Sequence, residues 1–117
     1  MVTRALTAAL VTVLGLYLLM IGALEAFAGS HLAYSWTLVL VGAANVLISI
    51  PHAICAADIL QRRSRARELM LWLAVVGFLW AILRATVLGN LFQIAAAPLY
   101  VALGIMAVRG RHVFAPR

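Results

Sequence analysis

Glu25, Asn45, Ser49, His52, Arg84 and Gln93 interrupt otherwise apolar stretches of this chain, and any chemistry it performs would be sought there. Ionisable groups inside apolar helices are expensive. Those that occur face protein, pair with one another, or mark the path of an ion or solute. Glu25 shares a helical stripe with Gly15 and Gly22, and Arg84 shares one with Ala74, Gly77 and Ala81. Small residues let helices approach closely. Both charges are therefore expected to face protein and to meet as an interhelical ion pair. Such a pair is structural, or else it helps to move an ion or bind a ligand headgroup. Asn45, Ser49 and His52 fall at helical spacing and form one polar stripe. Interhelical hydrogen bonding accounts for this stripe, and a lining for a substrate or quinone headgroup is its functional alternative. Gln93 and Asn90 extend the polar cluster around Glu25 and Arg84.

Other chemistries find little support. His52 with Met70 and Met106 at similar depth has the elements of His/Met haem ligation, but the pattern is sparse. His31 and His112 fall outside the apolar stretches at opposite ends and cannot join His52 in one site. A single cysteine, Cys55, excludes an internal disulfide and a multi-thiolate metal site, and its apolar setting predicts a buried, inert thiol. There is no nucleophile–base pair, phosphate-cradling glycine loop or carboxylate dyad. Asp58 and Glu68 flank an Arg-rich segment and are expected to pair with it. No catalytic residue, metal site or cofactor is expected.

The elements that must hold these residues are apolar helices. Of 117 residues, 67% are hydrophobic and 10% charged, against ~45–50% and ~25% in ordinary globular domains. So small a body has too much surface to hide this excess. The reading is an all-α integral membrane four-helix bundle forming one domain over residues 1–117. Its spans fall at about 5–27, 34–57, 69–88 and 91–108, with short loops. The first apolar run is too long for a signal-peptide core, which covers ~7–15 residues, and is expected to be retained.

Eight of the nine basic residues cluster near the N-terminus (Arg4), in the middle (Arg62, Arg63, Arg65, Arg67) and near the C-terminus (Arg109, Arg111, Arg117). Cationic segments stay on the cytoplasmic side. The central loop and both termini are therefore expected inside, with residues 28–33 and the Gly89-Asn90 turn outside. Tyr34 and Trp36 would anchor the outer interface and Trp72 the inner one, while Trp80 reads as packing. Pro51 and Pro98, inside the second and fourth spans, predict kinks. The net charge of +6 follows this topology, so membrane lipids are the expected partners and nucleic acid is not. Every basic residue is Arg and none Lys, which suggests a GC-rich bacterial source and placement in the inner (cytoplasmic) membrane.

In size and span count the chain is similar to the small multidrug exporters. That family relies on a Glu near the middle of its first helix, whereas Glu25 stands near the end of this one. The motifs of fluoride channels and the His pattern of succinate dehydrogenase anchors are not reproduced, and a likeness to DoxX-like proteins covers architecture only. The expectation is a small non-enzymatic accessory or scaffold subunit of a larger membrane complex. In that case the second helix, whose polar stripe needs partners, would be the docking surface. The alternative is a homo-oligomeric transporter or channel for a small solute. A quinone- or lipid-handling redox protein comes third.

Overall fold

The structure is a computed structural model and describes residues 4–32, 35–88 and 95–109. The fold is all-helical. Helix α1 (Arg4–Phe27) runs on into a π-helical turn (Ala28–Leu32). Helices α2 (Trp36–Leu60), α3 (Ala66–Leu88) and α4 (Ala97–Arg109) follow. Three segments, Arg4–His31, Trp36–Leu60 and Ala66–Val87, are long and apolar enough to cross a membrane, and the described part of α4 is shorter. The expected start of the fourth span, the Gly89-Asn90 turn, and Tyr34, Gln93, Arg111, His112 and Arg117 lie outside the described residues.

Two boundaries differ from the sequence reading. The α2–α3 connection shrinks from the expected 58–68 to residues 61–65, because local bonding prolongs α2. Arg62 N–H donates to the Ile59 carbonyl (3.2 Å) and Arg63 N–H to that of Asp58 (2.9 Å). Arg62 meanwhile adopts a left-handed φ of 58°. This is a Schellman ending, with arginine where glycine is commoner. Asp58, buried at the end of α2, accepts Arg65 Nε at 2.7 Å and lies 3.5 Å from Arg63 Nε. That pairing holds Arg65's guanidinium above its usual pKa, mainly through the side-chain hydrogen bond. Glu68 begins α3 and, among the described residues, makes no such pair. Pro98 lies in the first turn of described α4, and the preceding turn, which decides whether it interrupts a span, lies outside the described residues. Pro51 does sit inside α2, which continues past it.

At the opposite end, Ser35 caps α2 by accepting from Leu38 N–H (3.3 Å), while its own N–H donates to the Gly29 carbonyl (2.8 Å). A Cβ on Gly29 would lie 2.8 Å from Val39 N, so only glycine lets the π turn fold back this closely.

Sequence neighbours pack side by side, and α4 closes back onto α1. In this ring α1 faces α3, and α2 faces α4, across the two diagonals. The long axis is 51 Å and the cross-section 23 × 18 Å. The α1–α2 pair is the tightest. A Cβ on Gly42 would come 2.5 Å from the backbone of Gly22 and Ala26, and one on Gly15 would come 2.8 Å from His52 Cβ. On the other side, α3 and α4 meet through Gly77 beneath the Tyr100 ring and through Ala74 beside Gly104. The core gathers Val11, Leu14, Ile59, Met70, Tyr100 and Leu103, while leucine, isoleucine and valine side chains cover the outside of every helix.

Candidate functional site

Glu25 and Arg84 occupy one diagonal. Helix α1 carries Glu25 one turn beyond Gly22, and α3 carries Arg84 one turn beyond Ala81, so the small residues bring both charged groups inward. Arg84 Nη2 donates to Glu25 Oε1 at 2.7 Å, and both side chains are buried, at 2% and 9% exposure. Asn45 of α2 donates from Nδ2 to the same oxygen, also at 2.7 Å. The Asn45 carbonyl oxygen in turn accepts the indole N–H of Trp80 from α3. Three helices thus meet at one carboxylate oxygen. Among the described residues, Glu25 Oε2 and Arg84 Nε have no hydrogen-bond partner. Charge pairs removed from water compensate their desolvation well only when every donor and acceptor is satisfied, and the described residues leave these two atoms unsatisfied.

His52 and Tyr100 occupy the second diagonal, two helical turns nearer the α2–α3 loop, roughly 10 Å from the first. His52 Nε2 lies 2.9 Å from the Tyr100 hydroxyl, and His52 Nδ1 lies 2.9 Å from the Ile48 carbonyl. A carbonyl only accepts, so Nδ1 carries the hydrogen. In the neutral ring Nε2 is then the acceptor and the Tyr100 hydroxyl donates to it. The rings meet edge to face, with centroids 5.7 Å apart. Two bulky partners fit because their neighbours are glycines: Gly15 makes room for His52, and Gly77 for the Tyr100 ring.

Asn45, Ser49 and His52 share one face as their spacing predicts, but that face is turned into the bundle. Asn45 and His52 are fully buried, and Ser49 nearly so. Ser49 spends its hydroxyl on the Val46 carbonyl of its own helix. Their partners are internal, so the stripe is not the docking surface expected of α2. With both His52 nitrogens engaged, ligation of a haem iron would first have to break the Tyr100 or Ile48 bond. Met70 is packed in the core. Cys55 is buried, as its setting predicts. His31 is exposed, stacks on Phe27 and bonds Ser30. No group of three or more potential metal ligands occurs among the described residues.

Two participants escape sequence reading. Trp80 reads as packing, yet its N–H completes the Asn45 contact. Tyr100 attracts no notice, although a buried tyrosine hydroxyl needs a partner, and that requirement could have tied it to the polar stripe of α2. Set against protein-family models, curated proteins and solved structures, the chain matches none.

Proposed function

We propose that this protein is a small non-enzymatic subunit that lodges in the cytoplasmic membrane and scaffolds a larger membrane complex. The carrying observation is the inward turn of its polar chemistry. Glu25, Asn45, Ser49, His52, Arg84 and Tyr100 are all buried, while the exposed large hydrophobic residues are distributed over all four helices. A body of this kind has an interior devoted to holding its own helices together and an exterior suited to lipid and to apolar partners. In this reading Arg4, the Arg62–Arg67 segment and Arg109 lie on the cytoplasmic side.

With Asn45 and His52 of the polar stripe internal, the partner surface moves to the outer seam of α1 and α2, where only Ser49 of the stripe reaches the edge. There a groove of about 330 Å³ is lined by Thr12, Gly15, Ser49 and Ala53, with Leu16, Leu19, Val46 and Ile50 on its flanks. Small residues between aliphatic ridges suit the close approach of another helix. Extraction in mild detergent should recover the protein in a complex with one larger membrane protein. Ala53→Trp, which fills the seam, should release it while the isolated bundle keeps its melting behaviour. Recovery of the protein alone, from native membranes and in every mild detergent, defeats this reading.

A second reading has its own support. Glu25 Oε2 and Arg84 Nε, unpartnered among the described residues, offer an acceptor and a donor to a small polar solute in a homo-oligomeric transporter. Solute flux through liposomes holding only the purified protein, abolished by Glu25→Gln, would establish it in place of the first.

A further inference from the structure

A broad concavity lies on the opposite side of the bundle, along the outer seam of α3 and α4. Its volume is about 540 Å³. The α3 wall is formed by Leu71, Val75, Phe78 and Leu79, and the α4 wall includes Val101 and Ile105. From Leu71 to Leu79 it extends roughly 12 Å along the helix axis. Two lining residues, Tyr100 and Arg109, bear polar side-chain groups. The Tyr100 hydroxyl is committed to His52, so toward the groove it presents only its ring.

Arg109 differs. It lies in the last turn of α4, is exposed, and takes no hydrogen-bond or ion-pair partner among the described residues. Beside it, Arg67 of α3 donates Nε to the Ala107 carbonyl at 2.9 Å. This bond holds a second guanidinium, outside the groove lining itself, at the level of the last turn of α4 and one helical turn before Leu71 of the groove wall. No carboxylate of the described residues lines the groove. One end is thus cationic and the remainder apolar, which is the complement of an anionic headgroup carrying an acyl chain.

We propose that the α3–α4 groove is a binding site for an anionic glycerophospholipid, with one acyl chain lying between Leu71/Val75 and Val101/Ile105 and the phosphate at Arg109 and Arg67. The site requires placement in a membrane and is independent of any partner complex. Each arginine near a headgroup favours an anionic lipid by about five-fold. Phosphatidylcholine shares the chain chemistry but not the net charge, so comparison of the two separates groove from headgroup.

Native mass spectrometry of the detergent-solubilised full chain, titrated with dioleoyl phosphatidylglycerol or dioleoyl phosphatidylcholine, tests the site. The phosphatidylglycerol adduct should be favoured at least about five-fold, and Arg109→Gln should lower that preference by about five-fold. Ile105→Trp should weaken both adducts by occluding the groove. Ile105 is half exposed, so this change leaves the core intact, and an unchanged melt verifies it. Arg63→Gln, on the exposed α2–α3 connection, should leave the preference as it was. Equal binding of the two lipids, an Arg63→Gln effect as large as that of Arg109→Gln, or indifference to Ile105→Trp each overturns the proposal. So does a second copy or partner protein found covering the groove.

Discussion

Arg84 reaches Glu25 across the bundle diagonal with a single 2.7 Å hydrogen bond to Oε1, the oxygen that Asn45 also occupies. The contact is monodentate and, among the described residues, leaves a carboxylate oxygen and a guanidinium N–H unserved. Loss of one partner strands a buried charge, at a cost of about 3–5 kcal/mol, whereas loss of both strands none. Glu25→Gln and Arg84→Gln should each destabilise the bundle strongly, and the double variant should be markedly less harmful than their sum. Denaturation in mixed micelles checks this. Strict additivity would mean that the two residues do not interact.

Glycine replacements should sort by what a new Cβ meets. At Gly22 and Gly42 it meets backbone, 2.6 Å and 2.5 Å away. Backbone cannot rotate aside, so α1 and α2 must separate, and each Gly→Ala change should cost at least the ~1–3 kcal/mol of ordinary overpacking. At Gly104 the nearest atom is Ala74 Cβ at 3.4 Å, an ordinary contact, and alanine is the better helix former by ~1 kcal/mol. Gly104→Ala should therefore be neutral or stabilising. Melting temperatures of the three variants give the order, and a Gly42→Ala protein as stable as Gly104→Ala would contradict the observed α1–α2 approach.

Tyr100 contributes a ring and a hydroxyl, and two substitutions separate them. Tyr100→Phe keeps the ring over Gly77 and deletes the bond to His52. Hydrogen bonds between membrane helices average ~0.6 kcal/mol and reach ~1.7, so a loss of about 1 kcal/mol is expected. Tyr100→Ala also removes a core side chain and should cost about 3–5 kcal/mol. Were Tyr100→Phe as damaging as Tyr100→Ala, the hydroxyl rather than the packing would hold the second diagonal.

The sequence makes the first diagonal legible because charge in an apolar stretch is conspicuous and the small-residue stripes give each charge a direction. Glu25 and Arg84 could be paired on those grounds alone. The polar face of α2 is legible as a face, but periodicity says nothing about whether it points inward or outward. That depends on Gly15 and Gly77 making room for His52 and Tyr100, a property of two other helices. The end of α2 is likewise hidden. A run of arginines reads as a loop, yet Arg62 in a left-handed conformation and Asp58 bonding back to Arg65 turn most of the expected connection into helix.

Orientation in the membrane can be tested at the α2–α3 connection. Antiparallel packing of α1 on α2, with Gly22 beside Gly42 and Gly15 beside His52, brings Arg4 to the level of residue 63. The bond from Arg67 to Ala107 brings the end of α4 there too. Arg4, the arginines around the α2–α3 connection and Arg109 therefore collect at one end of the bundle, while His31 marks the other. Arginine near one end of a span favours placing that end in the cytoplasm, and the proposed orientation rests on this rule. Ser64→Cys in a Cys55→Ala background places one thiol in the connection. Cys55 itself is fully buried, so its removal silences the background with only a small packing loss. A membrane-impermeant maleimide should leave residue 64 unlabelled in intact cells and modify it in inverted vesicles. Labelling from outside intact cells would invert the topology and would put the Arg109 mouth of the α3–α4 groove in the wrong leaflet for attraction to cytoplasmic anionic lipid.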